Sequence, residues 1–411
     1  MTAPADRGDR RSSWVPQAAG SGYDADNLPY GVVSFGDDSA RVAARIGDFV
    51  VDLAPIATLE MLPQTELLAE PSLAELFAAG PPVWASVRRW LVGLVSDPAE
   101  RSVVEPYLFP LSEVTPHLPF AVADYVDFYC SLDHTSNVGK IFRPDAEPLL
   151  PNWRHLPVGY HGRAGTVVAS GAEIRRPCGQ RKQPEADAPT FGPSRRLDME
   201  AELGFVVGVS TPLGSPVSPG AFAEHVFGVT LLNDWSARDI QAWEYVPLGP
   251  FLGKSFATSI SPWITPLVAL ESARTPLPRQ APEPLPYLRV EEPAGYDIDV
   301  TVRCNNTVVS HPPYAAMYWS PAQMLAHLTS NGASLRTGDL FASGTISGAE
   351  RDQRGSFLEL SWGGRDEVQL ADGSSRTFLE DGDEVTLSAT CPGALGGRIA
   401  LGDVTGRILP A

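Results

Sequence analysis

The chain has 411 residues, of which 43% are apolar and 19% charged, a balance typical of a globular protein long enough for two or three domains. Its 49 acidic and 31 basic side chains give a formal net charge of −18, which opposes binding to nucleic acid or to an anionic membrane surface. The sequence has no uninterrupted apolar run of about 18 residues and therefore predicts no membrane span.

Cysteine usage indicates the cellular compartment. The four cysteines, Cys130, Cys178, Cys304 and Cys391, are widely separated and include no Cys-x-x-Cys pair. This spacing favours reduced thiols over a disulfide framework or a zinc site. The first residues lack the apolar segment of a secretory signal. Together these features predict a cytoplasmic protein.

The apolar pattern predicts a mostly β (α+β) fold, because short alternating runs are separated by many of the 37 glycines and 39 prolines. Residues 1–27 are polar and rich in Gly, Ser and Asp, so we expect a flexible arm there. A hairpin is predicted at Gly47-Asp48, where apolar side chains alternate on both sides of a two-residue turn. From 59 to 95 the apolar spacing becomes helical.

A proline-rich segment at 105–119 predicts a stiff linker and a domain boundary. We therefore expect an N-terminal domain over 28–118 and a larger C-terminal domain over 119–411. Within the second domain, residues 271–287 carry five prolines between Pro276 and Pro286, which predicts an extended surface segment.

One C-terminal helix is well marked. Ser320 and Gln323 form a capping box, Pro321 is suited to the first helical position, and Gly332 ends the pattern. Strands are predicted near 298–302 and at 402–410.

Two carboxylates, Glu200 and Glu202, lie in a stretch from Met199 to Val209 whose alternating apolar residues predict a strand. On a strand their side chains point to the same face. Like charges side by side repel unless a cation neutralises them or one holds a proton, so a divalent cation is one interpretation. The other is the solvated face of an edge strand.

Further polar residues follow these two carboxylates. Asp234 lies two residues after a second apolar run at 226–232 and is a candidate third ligand. The predicted helix after it places Arg238 and Gln241 on one face, because they are three residues apart. Lys254 would place a positive charge beside the metal.

Residues 127–163 concentrate aromatic, histidine and arginine residues in predicted loops, where a scaffold can position acids, bases and hydrogen-bond donors. His134 is the candidate base, although a single histidine is often only structural. Asp127 precedes it by seven residues and Arg143 follows it by nine. Glu359, between two leucines of a predicted strand, faces away from them and could orient an imidazole.

Longer motifs cover nearly all of residues 28–411. They include Asp127-Phe-Tyr129, Leu150-Pro-Asn-Trp153, His155-Leu-Pro-Val-Gly-Tyr-His-Gly-Arg163, Leu197-Asp-Met-Glu200, Asn233-Asp-Trp-Ser-Ala-Arg-Asp-Ile-Gln241, the run 243–256 and Ala342-Ser-Gly-Thr-Ile-Ser-Gly348. In these stretches the sequence closely resembles the fumarylacetoacetate hydrolase family, and runs of this length are far more specific than Glu-x-Glu alone.

The resemblance implies an architecture and an activity. The implied fold is a small N-terminal SH3-like barrel followed by a larger C-terminal domain of mixed β-sandwich roll type, assembled as a homodimer. The implied reaction is metal-dependent hydrolysis of the carbon–carbon bond of a small-molecule substrate, 4-fumarylacetoacetate. Its products are fumarate and acetoacetate, in the last step of tyrosine and phenylalanine catabolism.

Carried over position by position, the resemblance also implies roles for individual residues. The implied calcium (Ca²⁺) ligands are Asp127, Glu200, Glu202 and Asp234. A magnesium ion (Mg²⁺) is implied nearby, supported by Asp234, Lys254 and Thr258. The implied catalytic residues are the base His134, its orienting acid Glu359, and Lys254, Arg238 and Gln241. The implied substrate-binding residues are Tyr129, Arg143, Tyr160, Arg238, Gln241 and Thr345.

Three alternatives remain at this stage. A related hydrolase of another diketone acid, of the acylpyruvate type, would share the metal chemistry. A binding protein that keeps the fold without turnover would have lost its base or acid, yet His134, Glu359 and Lys254 are present. A Ca²⁺-regulated module would show EF-hand spacing, which the sequence lacks.

Overall fold

The computed structural model describes residues 12–36 and 38–411. The strands of its N-terminal part are β1 Tyr30–Phe35, β2 Arg41–Ile46, β3 Phe49–Asp52, β4 Leu108–Pro110 and β5 Val114–Pro116. They form one antiparallel sheet in the order β4-β3-β2-β1-β5. The helices that accompany it are α1 Leu53–Leu59, α2 Thr65–Ala69, α3 Ala74–Ala78, α4 Pro81–Ser96 and α5 Arg101–Val104.

Two local predictions for this part are confirmed. Strands β2 and β3 pair so that Ile46 lies opposite Phe49, which leaves a two-residue turn between them. Gly47 in that turn has a φ of 55°, a left-handed conformation that glycine adopts without steric cost. Helix α4 lies almost entirely within the segment 59–95, for which the sequence predicts helix, and it buries Leu91 and Leu94.

The proline-rich segment 105–119 is not a linker, so that prediction is wrong. Its strands β4 and β5 form the two edges of the N-terminal sheet. Edge strands accept proline, because their outward-facing backbone positions need no N–H donor for the ladder. The domain division at 118/119 stays a prediction.

The predicted flexible arm does not include residues 12–27, which are packed against the rest of the chain. Val15 and Ala18 are buried. Arg88 donates hydrogen bonds to the carbonyl oxygens of Asp26 at 2.7 Å and Asn27 at 2.8 Å. Residues 1–11 of the predicted arm lie outside the described residues.

The C-terminal part is larger and also mostly β. Its strands are, in chain order, β6 Tyr125–Phe128, β7 Gly159–His161, β8 Val167–Ala169, β9 Glu173–Arg175, β10 Cys178–Arg181, β11 Thr190–Pro193, β12 Leu197–Asp198, β13 Ala201–Val207, β14 Val226–Asp234, β15 Ser236–Ala237, β16 Thr258–Ile260, β17 Thr265–Pro266, β18 Arg274–Thr275, β19 Gly295–Tyr296, β20 Asp299–Cys304, β21 Thr307–Ser310, β22 Leu340–Ala342, β23 Val368–Gln369, β24 Ser375–Arg376, β25 Glu384–Pro392 and β26 Arg398–Leu409. Its helices are α6 Leu132–Phe142, α7 Phe222–His225, α8 Arg238–Glu244, α9 Pro321–Thr329 and α10 Phe357–Leu360.

Two large sheets organise this part. An eight-stranded sheet runs in the order β7-β6-β22-β13-β14-β16-β8, with β17 paired to β14 beside this path. A five-stranded sheet has the order β21-β20-β25-β26-β9. The predicted strands near 298–302 and 402–410 correspond to β20 and β26, and α9 begins with the predicted capping box. The mostly β fold class is therefore confirmed.

The eight-stranded sheet lies between two apolar cores. Phe205 of β13 belongs to a cluster that includes Val300 of the second sheet. Its neighbour Val206 belongs to a cluster shared with Phe77 of the N-terminal part. Every residue of β13 is consequently buried. Among the helices within the described residues, none has the length and apolar character needed to cross a membrane.

Candidate active site

Four carboxylates converge at the same end of neighbouring strands in the eight-stranded sheet. Glu202 lies near the start of β13 and Asp234 ends β14, and the antiparallel pairing of these strands brings the two together. Asp127 lies on β6, and Glu200 directly precedes β13. One oxygen atom from each carboxylate lies within 4.8 Å of the corresponding atoms of the others. The predicted cluster is therefore assembled in the structure.

The edge-strand interpretation of Glu200 and Glu202 is wrong. Strand β13 is interior, because it pairs with β14 on one side and β22 on the other. Both side chains are buried. A buried carboxylate needs compensating partners, so the cluster requires cations, protons or hydrogen bonds.

The electrostatics of the cluster fit a divalent cation. Burial raises the pKa of Asp127 well above its ordinary value, and the negative charge of Asp234 raises it further. The pKa of Glu202 is also raised well above its ordinary value, first by burial and then by the charge of Asp127. Asp127 Oδ1 and Glu202 Oε1 are buried and accept no hydrogen bond from any described residue. Unpartnered carboxylate oxygens are the donor atoms that hard cations such as Ca²⁺ prefer.

Lys254 supplies one positive charge to the cluster. Its ammonium group hydrogen-bonds to Glu200 and Asp234. Burial alone would lower the pKa of Lys254, but these two carboxylates outweigh that effect and raise it, so the group is charged. Asp234 also accepts hydrogen bonds from Thr258 Oγ1 at 2.9 Å and from the Tyr160 hydroxyl at 3.3 Å.

Arg238 supplies a second cation, at the first residue of α8. Its Nη2 donates to Glu200 Oε1 at 2.7 Å and its Nη1 donates to Gln241 Oε1 at 3.1 Å. The predicted shared face of these two residues is confirmed. Burial would raise the pKa of Glu200, but Arg238 and then Lys254 outweigh it, so this pKa lies below its ordinary value.

His134 lies beside the cluster, in the first turn of α6. Ser131 caps this helix, and its hydroxyl accepts the His134 N–H at 3.1 Å. The imidazole Nδ1 lies 2.7 Å from Glu359 Oε2, and Nε2 lies 3.6 Å from Glu200 Oε1. The carboxylate of Glu359 therefore fixes the ring so that Nε2 faces the acidic residues.

The predicted pairing of Glu359 with the imidazole is thus present, but its predicted strand is wrong. Glu359 lies on the four-residue helix α10, capped by Ser356, whose side chain accepts the Glu359 N–H. The pattern Ser-x-x-Glu at 356–359 is a helix-start signal, and it outweighs the alternation of two leucines around one glutamate.

The predicted substrate residues lie around this centre. The Tyr129 ring meets the His134 ring edge-on, with centroids 5.2 Å apart. Thr345 is buried and follows Gly344, whose N–H donates to Glu202 Oε2 at 3.1 Å. Gly344 has a φ of 74°, and a Cβ there would collide with the carbonyl oxygen of Phe128, so this close approach requires glycine.

Arg143 is partly buried. It follows the end of α6, and its Nη2 donates to the carbonyl oxygen of Pro148 at 3.2 Å. Its Nε is buried and has no hydrogen-bond partner among the described residues. Burial raises the pKa of Tyr129, and Arg143 is close enough to oppose that rise. An arginine Nε–H without a partner, beside a tyrosine, suits an incoming carboxylate.

Several polar residues around Glu359 were not predicted. Asn137 Nδ2 donates to Glu359 Oε1 at 2.9 Å, and the hydroxyls of Ser347 and Ser356 each donate to Oε2 at 2.9 Å. Asn137 follows His134 by three residues on α6, a spacing that places both on one face. That spacing was an available signal, whereas the serines are brought in only by the tertiary fold.

Comparison with known proteins identifies the family. Residues 26–119 match the family described as Fumarylacetoacetase N-terminal, and residues 124–405 match Fumarylacetoacetate (FAA) hydrolase C-terminal. The chain belongs to the fumarylacetoacetase family. The resemblance inferred from the sequence motifs is therefore confirmed.

Full-length similarity extends to fumarylacetoacetases of distant organisms. The Homo sapiens enzyme is 45% identical over 415 residues, covering 97% of this chain and 99% of the relative. The Caenorhabditis elegans enzyme is 44% identical, with coverage of 97% and 99%. The enzyme of Oryza sativa subsp. japonica is 43% identical, with coverage of 97% of both chains.

Solved structures share the fold. The fumarylacetoacetate hydrolase of Exiguobacterium antarcticum aligns with a TM-score of 0.55 and 18% identity, covering 93% of this chain and 100% of that one. A putative HpcE protein from Mycobacterium smegmatis aligns with a TM-score of 0.53 and 20% identity, with coverage of 92% and 99%. The expected architecture, a small N-terminal domain and a larger C-terminal domain, is confirmed.

Proposed function

We propose that this member of the fumarylacetoacetase family hydrolyses the carbon–carbon bond of 4-fumarylacetoacetate, giving fumarate and acetoacetate. The observation that carries the proposal is the buried His134–Glu359 pair, whose free imidazole nitrogen faces the acidic residues. Similarity over 97% of the chain to fumarylacetoacetases of animals and plants supports the same substrate.

The four carboxylates Asp127, Glu200, Glu202 and Asp234 are the proposed ligands of Ca²⁺, with Mg²⁺ proposed beside Asp234, Lys254 and Thr258. Their donor atoms are the oxygens that both ions prefer. When bound, such a cation polarises the carbonyl groups of a diketone. The unpartnered oxygens of Asp127 and Glu202 support this assignment.

His134 is the proposed general base. Its Nε2 removes a proton from water, while Glu359 holds the Nδ1 proton and stabilises the imidazolium, an effect typically of about 10²- to 10⁴-fold on the rate. The water oxygen bonds to the fumaroyl carbonyl carbon and gives a tetrahedral oxyanion. When the oxyanion collapses, the carbon–carbon bond breaks, its electron pair leaves with acetoacetate as an enolate, and the imidazolium returns the proton to that carbon.

Positive and polar groups around the centre would stabilise this negative charge. Two of these groups, Arg238 and Lys254, contact the acidic residue Glu200, and Gln241 contacts Arg238. All three would provide donors for the oxyanion and the enolate. Arg143, with the hydroxyls of Tyr129 and Tyr160, would hold a substrate carboxylate. These local cations offset the repulsion that a net charge of −18 exerts on an anionic substrate.

A steady-state assay that follows loss of the diketone absorbance tests this function against its alternative. We expect kcat/KM for fumarylacetoacetate to exceed that for acylpyruvates by on the order of 100-fold, because an acylpyruvate carries its carboxylate directly on the diketone, where it would leave the proposed partner Arg143 unpaired. Faster turnover of an acylpyruvate would favour the related diketone-acid hydrolase instead.

We also propose a homodimer in the cytoplasm. All four cysteines are free thiols, which is consistent with a reducing compartment. Val246, Leu248 and Phe251 form an exposed apolar stretch near the site, and such surfaces are often covered by another subunit. Sedimentation equilibrium of the purified protein measures the mass of the assembly directly.

A further inference from the structure

Asp198 ends β12 and lies next to the candidate active site, where it contacts Arg238. Its carboxylate is fully buried. Oδ1 accepts hydrogen bonds from the N–H groups of Met199 at 2.8 Å and Phe357 at 2.7 Å. Oδ2 accepts from the Leu358 N–H at 3.0 Å and from Arg238 Nε at 2.8 Å. One side chain therefore uses both of its oxygens to join three separate segments.

Two of these segments carry groups that the proposed reaction uses. Phe357 and Leu358 begin the short helix α10, which presents Glu359 to His134. Arg238 reaches Asp198 through Nε and Glu200 through Nη2, so its planar guanidinium is held at two points. Asp198 thus connects the residue that orients the base with the cation that pairs with Glu200.

We propose that Asp198 is a positioning residue that fixes the positions of Arg238 and Glu359 relative to each other. The inference rests on the proposed function, because that function gives both residues their roles. Asp198 acts by contacting Arg238 and needs no contact with the substrate itself. A four-residue helix has little stability of its own, so its placement depends on such tertiary contacts. A guanidinium held by two carboxylates is likewise more sharply oriented than one held by a single partner.

Asp198→Asn is the test substitution, because it keeps the shape of the side chain and replaces one acceptor oxygen with a donor NH₂ group. If that group takes the place of Oδ2, it faces the N–H of Leu358 and the Nε–H of Arg238. If the amide is flipped, it faces Met199 and Phe357. In either orientation donors meet donors, so at least one of the joined segments must shift.

The matched control is Asp383→Asn. Asp383 is also a buried aspartate, and it accepts hydrogen bonds from Arg376 Nε at 2.9 Å and from the Glu380 N–H at 2.7 Å. It pairs with none of the proposed site residues. Both variants change a buried aspartate that pairs with an arginine, so a general loss of stability would affect them alike.

The experiment measures kcat and KM for fumarylacetoacetate in the wild type, both single variants, Arg238→Lys and the double variant Asp198→Asn/Arg238→Lys. We expect Asp198→Asn to lower kcat by about 10- to 100-fold with KM changed much less, and Asp383→Asn to keep wild-type kcat. The double variant should lose less than the product of the two single losses, since Asp198 acts partly through Arg238.

Losses that multiply in the double variant, or a folded Asp198→Asn with kcat within about threefold of the wild type, would overturn the inference. If Asp198→Asn does not fold, the Arg238→Lys variant alone still tests the inference. Lysine keeps the charge but does not bridge Asp198 and Glu200, so kcat should fall by at least about tenfold, and near-normal kcat would refute the positioning role. Failure of the wild type to hydrolyse fumarylacetoacetate would instead refute the proposed function.

Discussion

His134 Nδ1 and Glu359 Oε2 lie 2.7 Å apart, and both side chains are buried. Burial would raise the pKa of Glu359, but His134 and the surrounding hydrogen bonds, including one from Asn137, outweigh it and hold this pKa below its ordinary value. Glu359 is therefore an anion that keeps the proton on Nδ1. The opposite nitrogen, Nε2, is the proposed acceptor of a proton from water.

Asn137→Ala tests the support of this pair. The substitution removes the donor to Glu359 Oε1, and a hydrogen bond to a charged group contributes about 1.5–3 kcal/mol. If part of that energy orients the imidazole, kcat should fall by roughly tenfold with KM nearly constant. Asn331→Ala, which changes an exposed turn, is the control. An unchanged kcat in Asn137→Ala would show that Glu359 needs no help from α6.

Arg143→Ala tests the binding of a substrate carboxylate. Because the guanidinium is proposed to act in binding and not in the chemical step, KM should rise by about 10- to 100-fold while kcat changes little. Steady-state kinetics separate the two parameters. Arg289→Ala removes an exposed arginine that pairs with Glu283 and should alter neither. A loss confined to kcat would assign Arg143 to the chemical step.

Calcium should stabilise the fold through the four carboxylates. A ligand that binds only the folded state at about 100 times its Kd raises the free energy of unfolding by about 2.7 kcal/mol. Thermal unfolding with Ca²⁺ and with a chelator measures this difference. Glu202→Gln should reduce it strongly, whereas the exposed Glu271→Gln should not. Equal unfolding temperatures with and without Ca²⁺ in the wild type would contradict the metal site.

The same measurement should depend on pH. Without an ion, the raised pKa values of Asp127 and Glu202 mean that the folded state keeps protons that the unfolded chain releases near about pH 4. Their contribution to stability is therefore complete below about pH 4 and is lost as the pH rises toward the raised values. The difference in unfolding temperature between Ca²⁺-bound and chelated protein should grow from about pH 5 to about pH 8. A difference that does not change with pH would argue against these two carboxylates as the main source of the stabilisation by Ca²⁺.

Local patterns predicted much of the fold, where the local signal and the tertiary environment agree. The turn at Gly47-Asp48 and the capping box at Ser320 both formed as expected. Two of the failures have a shared cause, because tertiary context decided them. Proline in β4 and β5 is tolerated because these strands lie at sheet edges, and the polar segment 12–27 is packed because Arg88 binds its carbonyl groups.

Prediction of the candidate site likewise succeeded where a local pattern was present and failed where it was not. Glu200, Glu202 and Asp234 were predicted as neighbours because carboxylates at strand ends need a common partner, and the pairing of β13 with β14 brings them together. Asp198 gave no local signal of a role, since its partners are backbone groups of residues 357 and 358 far along the chain. Such contacts become visible only when the sheet and α10 are in place.

The kcat of the Ca²⁺-saturated His134→Ala variant on fumarylacetoacetate tests the central claim most directly. Because His134 is the proposed base, kcat should fall by about 10²- to 10⁴-fold, with unfolding temperature and Ca²⁺ binding kept. Glu359→Gln combined with His134→Ala should cause no further loss, since the two act as one unit. A kcat within about tenfold of the wild type, in a folded variant that binds Ca²⁺, would contradict the account.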